Sequence, residues 1–117
     1  MVIELKRGGL ILFNHCKVAQ SFFDRFLGLM GKKSIPETEA LIFPKCSSIH
    51  TFFMRMNIDV VFVSETGEVI RVFQNLAPWR MILPVRGARH AIEMGSQLAS
   101  EKKIQEGDRL SCAGVFG

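Results

Sequence analysis

From residue 40 onward, the apolar residues of this chain abandon helical spacing and gather in short runs that suit β-strands. The densest is Asp59 to Ser64 (DVVFVS), where β-branched residues and a phenylalanine follow one another. Such side chains pack well on a pleated surface and crowd the preceding turn of a helix. Glu65-Thr66-Gly67-Glu68 is a turn, and Val69 to Phe73 returns as the second arm of a hairpin. Ala40 to Phe43 is a further strand, stopped by Pro44, which has no N–H for a ladder. Ile49 to Met54 alternates: Ile49, Thr51 and Phe53 on one side, His50, Phe52 and Met54 on the other. Arg89 to Met94 is another strand, and Gly107-Asp108 turns the chain into a closing one, Arg109 to Ala113. At the start, Val2 to Leu5 and Leu10 to Phe13 flank Lys6-Arg7-Gly8-Gly9, an opening hairpin whose glycines supply the positive φ that a tight turn needs. Leu76 to Gly87, with Pro78 and Pro84, is a long irregular crossing, and Ser96 to Lys103 a short helical turn.

One segment keeps the helical period. Phe22, Phe23, Phe26, Leu27 and Met30 form an apolar stripe over Ser21 to Gly31. Ser21 and Asp24 have capping-box spacing, Gly31 suits the αL residue past the end, and Lys32 and Lys33 favour the negative pole. Gly28 inside the helix costs about 1 kcal/mol relative to alanine, which close approach of another backbone explains. The expected fold is mainly β (α+β): an antiparallel barrel or sandwich of about seven or eight short strands with this amphipathic helix packed on it. At 117 residues the chain is one domain, 1–117, burying roughly two-thirds of its unfolded surface.

Composition narrows the function classes. No apolar run approaches the ~18 residues of a membrane-spanning helix, and Glu4 beside Lys6 and Arg7 is unlike a signal peptide, so a cytoplasmic protein with no membrane partner is expected. Cys16, Cys46 and Cys112 are odd in number and lack C-x-x-C spacing, which argues against a disulfide framework and against a zinc ribbon. The net charge is +4. The one local bias lies between Glu68 and Glu93, where there is no acid while Arg71, Arg80, Arg86 and Arg89 all occur. Phosphate-binding glycine loops, nucleophile elbows and HExxH patterns are absent, so no cofactor is implied.

Several segments, taken in order, resemble the domain of unknown function 192 family, an ancient conserved region family of small bacterial and archaeal proteins. They are Arg25-Phe26-Leu27-Gly28-Leu29-Met30, Ala40-Leu41-Ile42-Phe43, Cys46-Ser47-Ser48-Ile49-His50-Thr51-Phe52-Phe53-Met54 and Ile58-Asp59-Val60-Val61-Phe62. Gly67, Val69, Pro78-Trp79-Arg80, Glu93 and Gly107-Asp108 continue the match. The Cys-x-x-Ile-His-Thr form resembles one subset. The resemblance implies a compact β-rich fold with a flanking helix and implies no activity.

Three functions are consistent with the residues. The leading one is a binding domain for an anionic small molecule or a protein segment, its surface built from His50, Thr51, Arg55, Asp59, Trp79 and Arg80. The second is a small enzyme with Cys46 as nucleophile, His50 as base and Asp59 orienting the imidazole. The third is nucleic-acid binding through Arg71, Arg80, Arg86 and Arg89, which the core-like spacing of the aromatics does little to support. His15, Cys16, Cys46, His50, Asp59 and His90 are possible metal ligands, but no spacing among them is a recognised zinc pattern, and no metal is expected. Arg25 is expected to pair with Asp59 or Glu93, the alternative being an anion site made with Arg55 and Arg80.

Overall fold

The computed structural model describes residues 3–5, 9–19 and 34–117. Its strands are β1 (Ile3–Leu5), β2 (Leu10–Phe13), β3 (His15–Val18), β4 (Glu39–Phe43), β5 (Ile49–His50), β6 (Ile58–Val63), β7 (Val69–Leu76), β8 (Met81–Ile82), β9 (His90–Gly95) and β10 (Leu110–Ser111). A short helix, α1 (Leu98–Glu101), follows β9. The strands form a five-stranded sheet in the order β3-β4-β9-β6-β7, a three-stranded sheet β10-β1-β2 and a two-stranded sheet β5-β8. The five-stranded sheet is open at both ends, so of the two closures expected the layered one holds and the barrel does not.

The β6 run explains why the fold has two apolar layers. All six residues of β6 are buried, because β9 and β7 flank it and both of its faces are covered. Val61 and Val63 join Ile92, Met94, Ile42 and Leu110 in one cluster, which β1, β2, β10 and α1 help to build. Ile58, Val60 and Phe62 point the other way, into a cluster with Phe43, Ile49, Met54 and Ala91. There the Phe62 ring meets Phe73 edge-on at 5.8 Å, an arrangement aromatic pairs prefer to face-to-face stacking. Gly67 holds the β6–β7 turn against the C-terminal strand: its carbonyl accepts from Leu110 N, and a Cβ there would collide with the Leu110 carbonyl oxygen.

The opening hairpin and the β6–β7 hairpin form as expected. Other elements differ. Ten strands occur among the described residues, and one pairing, β3 with β4, is parallel. A parallel pair needs a crossover of a dozen or more residues, which 19–38 supplies. The helix expected at Ser21 to Gly31, with Arg25, lies outside the described residues. The strand expected over Ile49 to Met54 ends at His50, because Phe53 has φ 64° and Met54 N donates back to Thr51 O at 3.2 Å, closing a turn. The crossing at 76–87 is interrupted by β8, which pairs with β5 through His50↔Met81 and Ile49↔Ile82.

Candidate functional site

Thr51 is fully buried and ties two surface turns together. The first is its own turn, 51–54. The second is 77–80, where Pro78 is followed by Trp79 at φ 65°. An ordinary β-turn closes with a hydrogen bond from its fourth N–H to its first carbonyl. In 77–80 the Thr51 hydroxyl stands between those groups, donating to Ala77 O at 2.7 Å and accepting from Arg80 N at 2.8 Å. The Thr51 backbone completes the tie: its N–H donates to Arg80 O at 2.8 Å and its carbonyl accepts from Trp79 N at 3.0 Å.

Both turns place a bulky aromatic in the left-handed region, Phe53 and Trp79. That conformation normally falls to glycine or asparagine and costs other residues about 1–2 kcal/mol. The strain does not serve the core, since Phe53 is 56% and Trp79 59% exposed. Their rings meet at 4.7 Å, tilted by 59°. Phe52 stacks on Trp79 at 5.9 Å, and His50 on Phe52 at 4.9 Å. The result is a row of four rings, with exposed Arg80 on the second turn and exposed Arg55 one residue past the first.

His50, Thr51, Trp79 and Arg80 are therefore brought together, and Arg55 is exposed just after the first turn. Asp59 is not. It is fully buried, and both oxygens are occupied by backbone amides: Oδ1 accepts from Asn75 N at 2.8 Å and Gln97 N at 3.0 Å, Oδ2 from Ala99 N at 2.9 Å. A carboxylate spent on the amides at the start of α1 does not orient an imidazole, so the triad expectation is corrected at Asp59. His50 Nδ1 accepts from Phe52 N at 3.2 Å, which leaves Nδ1 without a proton to give. The Cys46 thiol donates to Ser48 O at 2.7 Å.

Glu93 is the anomaly of the second layer. Its neighbours across the sheet are Leu41 and Val60, and its Oε1 has no hydrogen-bond partner among the described residues. Burial in these surroundings pushes its carboxyl up to about 8. Of the two carboxylates expected to receive Arg25, Asp59 is already satisfied, while Glu93 keeps an oxygen without a partner among the described residues.

The possible metal ligands are dispersed, and no three His, Cys, Asp or Glu among the described residues gather around a common point. Cys16 and Cys112 lie in the first core layer, where burial raises both thiols, Cys16 to about 11 with the Cys112 thiol adding to the effect. His90 accepts from Lys45 N at 3.2 Å, and burial followed by the Arg89 charge lowers its imidazole. The arginines divide as well. Arg71 and Arg86 line one groove, Arg89 lines another with Glu65 and His90, and Arg80 belongs to the aromatic row. Phe52 and Phe53 are the site residues that strand periodicity hides, because alternation assigns them opposite faces of a strand whereas a turn puts both beside Trp79. Pro78 was the available signal, since proline favours the second position of a turn.

Among the described residues, no helix is long and apolar enough to cross a membrane. The family model described as DUF192, uncharacterized ACR, matches residues 3–112. A UPF0127 protein of Pyrococcus horikoshii is 38% identical over 100 residues, which are 80% of this chain and 84% of that protein. A UPF0127 protein of Thermococcus sibiricus is 32% identical over 109 residues, 90% of this chain and 70% of its own. A crystallised protein of unknown function from Novosphingobium aromaticivorans, 19% identical, has a TM-score of 0.80 and covers 95% of this chain and 82% of its own, a likeness of fold. Matched by that model over nearly all its length, and by relatives that share about a third of its residues, the chain belongs to the DUF192 family.

Proposed function

We propose that this chain, acting as one domain, is a small non-enzymatic binding protein of the cytoplasm. Its ligand presents a flat or apolar face to Phe53 and Trp79 and a negative charge to Arg55 and Arg80. The observation that carries this reading is the pair of strained, exposed aromatics at 4.7 Å, held by a buried threonine. Strain retained at an exposed position contributes nothing to folding and points to recognition. Aromatic and arginine side chains are the types that dominate binding hot spots. The absence of a disulfide among Cys16, Cys46 and Cys112 fits a reducing compartment. His50 belongs to the row and Cys46 precedes it by four residues, but their hydrogen bonds to Phe52 and Ser48 support positions in the loop rather than a nucleophile and its base.

Trp79 is the only tryptophan, so its fluorescence reports the row directly. Titration with a short acidic peptide containing phenylalanine, and with an aryl phosphate, is expected to shift or quench the emission. The response should disappear with Arg80→Glu while the fold persists by circular dichroism. Unchanged emission with both probes at low salt refutes the reading.

A further inference from the structure

A second surface lies beside this row. Among the described residues β7 is the longest strand and the last of its sheet, and one of its edges has no strand partner there. Its start is occupied, because Val69 N donates to Asp108 O, Gly107 N donates to Val69 O, and Glu68 bridges Arg109. Residues 70–74 remain. They border a groove of about 440 Å³ whose other wall is the segment 81–86. Most side chains of the groove are apolar, with Ile70, Phe73, Ile82 and Val85 among them, and Met81 and Leu83 stand 60% and 73% exposed on its far side. Its only charges are Arg71 and Arg86, neither of which has a carboxylate partner among the described residues. Arg71 is held over the Phe73 ring at 4.6 Å, so its guanidinium is placed before any ligand arrives.

An exposed strand edge is a template for pairing, and proteins that do not use it usually blunt or cover it. We propose that the groove accepts an extended acidic segment of another protein, which adds to β7 as an edge strand and sets its carboxylates against Arg71 and Arg86. This rests on the binding reading above and gives the partner a chemical class, at a position separate from the aromatic row. Charge complementarity selects the occupant: no acid occurs between Glu68 and Glu93, and alternating side chains of an added strand would meet the apolar floor and the arginine rim in turn. A second copy of this chain, pairing through the same edge, would bring further arginines and no carboxylate to the groove. A nucleic acid would find the arginines but has no backbone to pair with a strand edge.

The test uses the full chain and a fluorescein-labelled peptide of alternating Glu and Val, read by anisotropy, with amide hydrogen exchange on the same samples. The expected result is saturable binding that weakens with salt, slower exchange at 70–74, and loss of affinity by about tenfold or more in the doubly substituted chain carrying Arg71→Glu and Arg86→Glu. Exposed positions keep that variant folded, and a peptide with proline in place of its central valines, which cannot pair, should not bind. Binding of the proline peptide with equal affinity overturns the strand-addition model, as does tighter binding of single-stranded DNA. Protection confined to 51–54 and 77–80 overturns the groove while leaving the aromatic row intact. Protection of 70–74 that grows with protein concentration and needs no peptide overturns it in favour of self-association.

Discussion

Glu93→Gln tests the electrostatic reading of the core. The glutamate sits between Leu41 and Val60 on neighbouring strands, with Oε1 unpartnered among the described residues and its carboxyl raised from 4.5 to about 8. A folded-state value above the unfolded one means that the native protein holds the proton more tightly. That contribution to stability is complete below pH 4.5 and is lost as pH rises to about 8. At about 1.36 kcal/mol per pH unit, the loss at neutral pH is about 3 kcal/mol, approaching 5 by the upper end. Glutamine has nearly the same shape and does not titrate. Its buried amide carries a cost of its own, roughly 1–3 kcal/mol, but one that does not vary with pH. The quantity to measure is therefore the difference in unfolding free energy, variant minus wild type, from urea titrations at several pH values. Every other titrating group cancels in this difference. It should climb by about 1.4 kcal/mol per unit across the interval and level off above it. Parallel curves for the two proteins would refute the reasoning, since they would mean that Glu93 is ionised in the native state and that a cation meets its charge.

Other outcomes follow from the same contacts. Asp59→Ala removes the acceptor of three backbone amides and should cost roughly 3 kcal/mol or more in chemical denaturation, with lost exchange protection at Gln97 and Ala99. Trp79→Gly should be more stable than Trp79→Ala by about 1 kcal/mol, the reverse of the usual order, because φ is 65° there; equal midpoints would remove the case for stored strain. Thr51→Val should lose about 1–3 kcal/mol through the unbridged Ala77 carbonyl and Arg80 amide, with Thr51→Ser recovering most of it. Alkylation of the native protein followed by peptide mass mapping should modify Cys46 before Cys16 and Cys112, whose buried thiols react only after denaturant is added.

Some of this molecule is legible along the chain because it depends on near neighbours. The DVVFVS run with its Gly67 turn specifies a hairpin by itself: side chains that suit a strand are followed by the residue that allows the reversal. The opening hairpin and the short helical turn after β9 are of the same kind. His15–Val18 was not legible, because four residues of mixed polarity become a strand only when β4 lies alongside in parallel. The end of β5 at His50 was not legible either. Ile49 to Met54 alternates as a strand should, and it turns because Thr51 bonds to residues 77–80, almost thirty positions away.

The candidate site divides along the same line. Thr51, Trp79 and Arg80 stand out in the sequence, and His50 with Cys46 suggests chemistry at close range. A linear reading assigns Asp59 to His50 because an aspartate opening the next strand can reach an imidazole. In the folded chain, α1 brings its amides to the opposite layer, and desolvated N–H groups claim that carboxylate. Residue types and local turns were determined by the sequence itself, since backbone preference and side-chain period act over a few residues. Which carboxylate the backbone amides satisfy, which one is buried between apolar strands and which rings meet at the surface were decided by tertiary structure, because burial and hydrogen-bond competition exist only once distant segments share one interior.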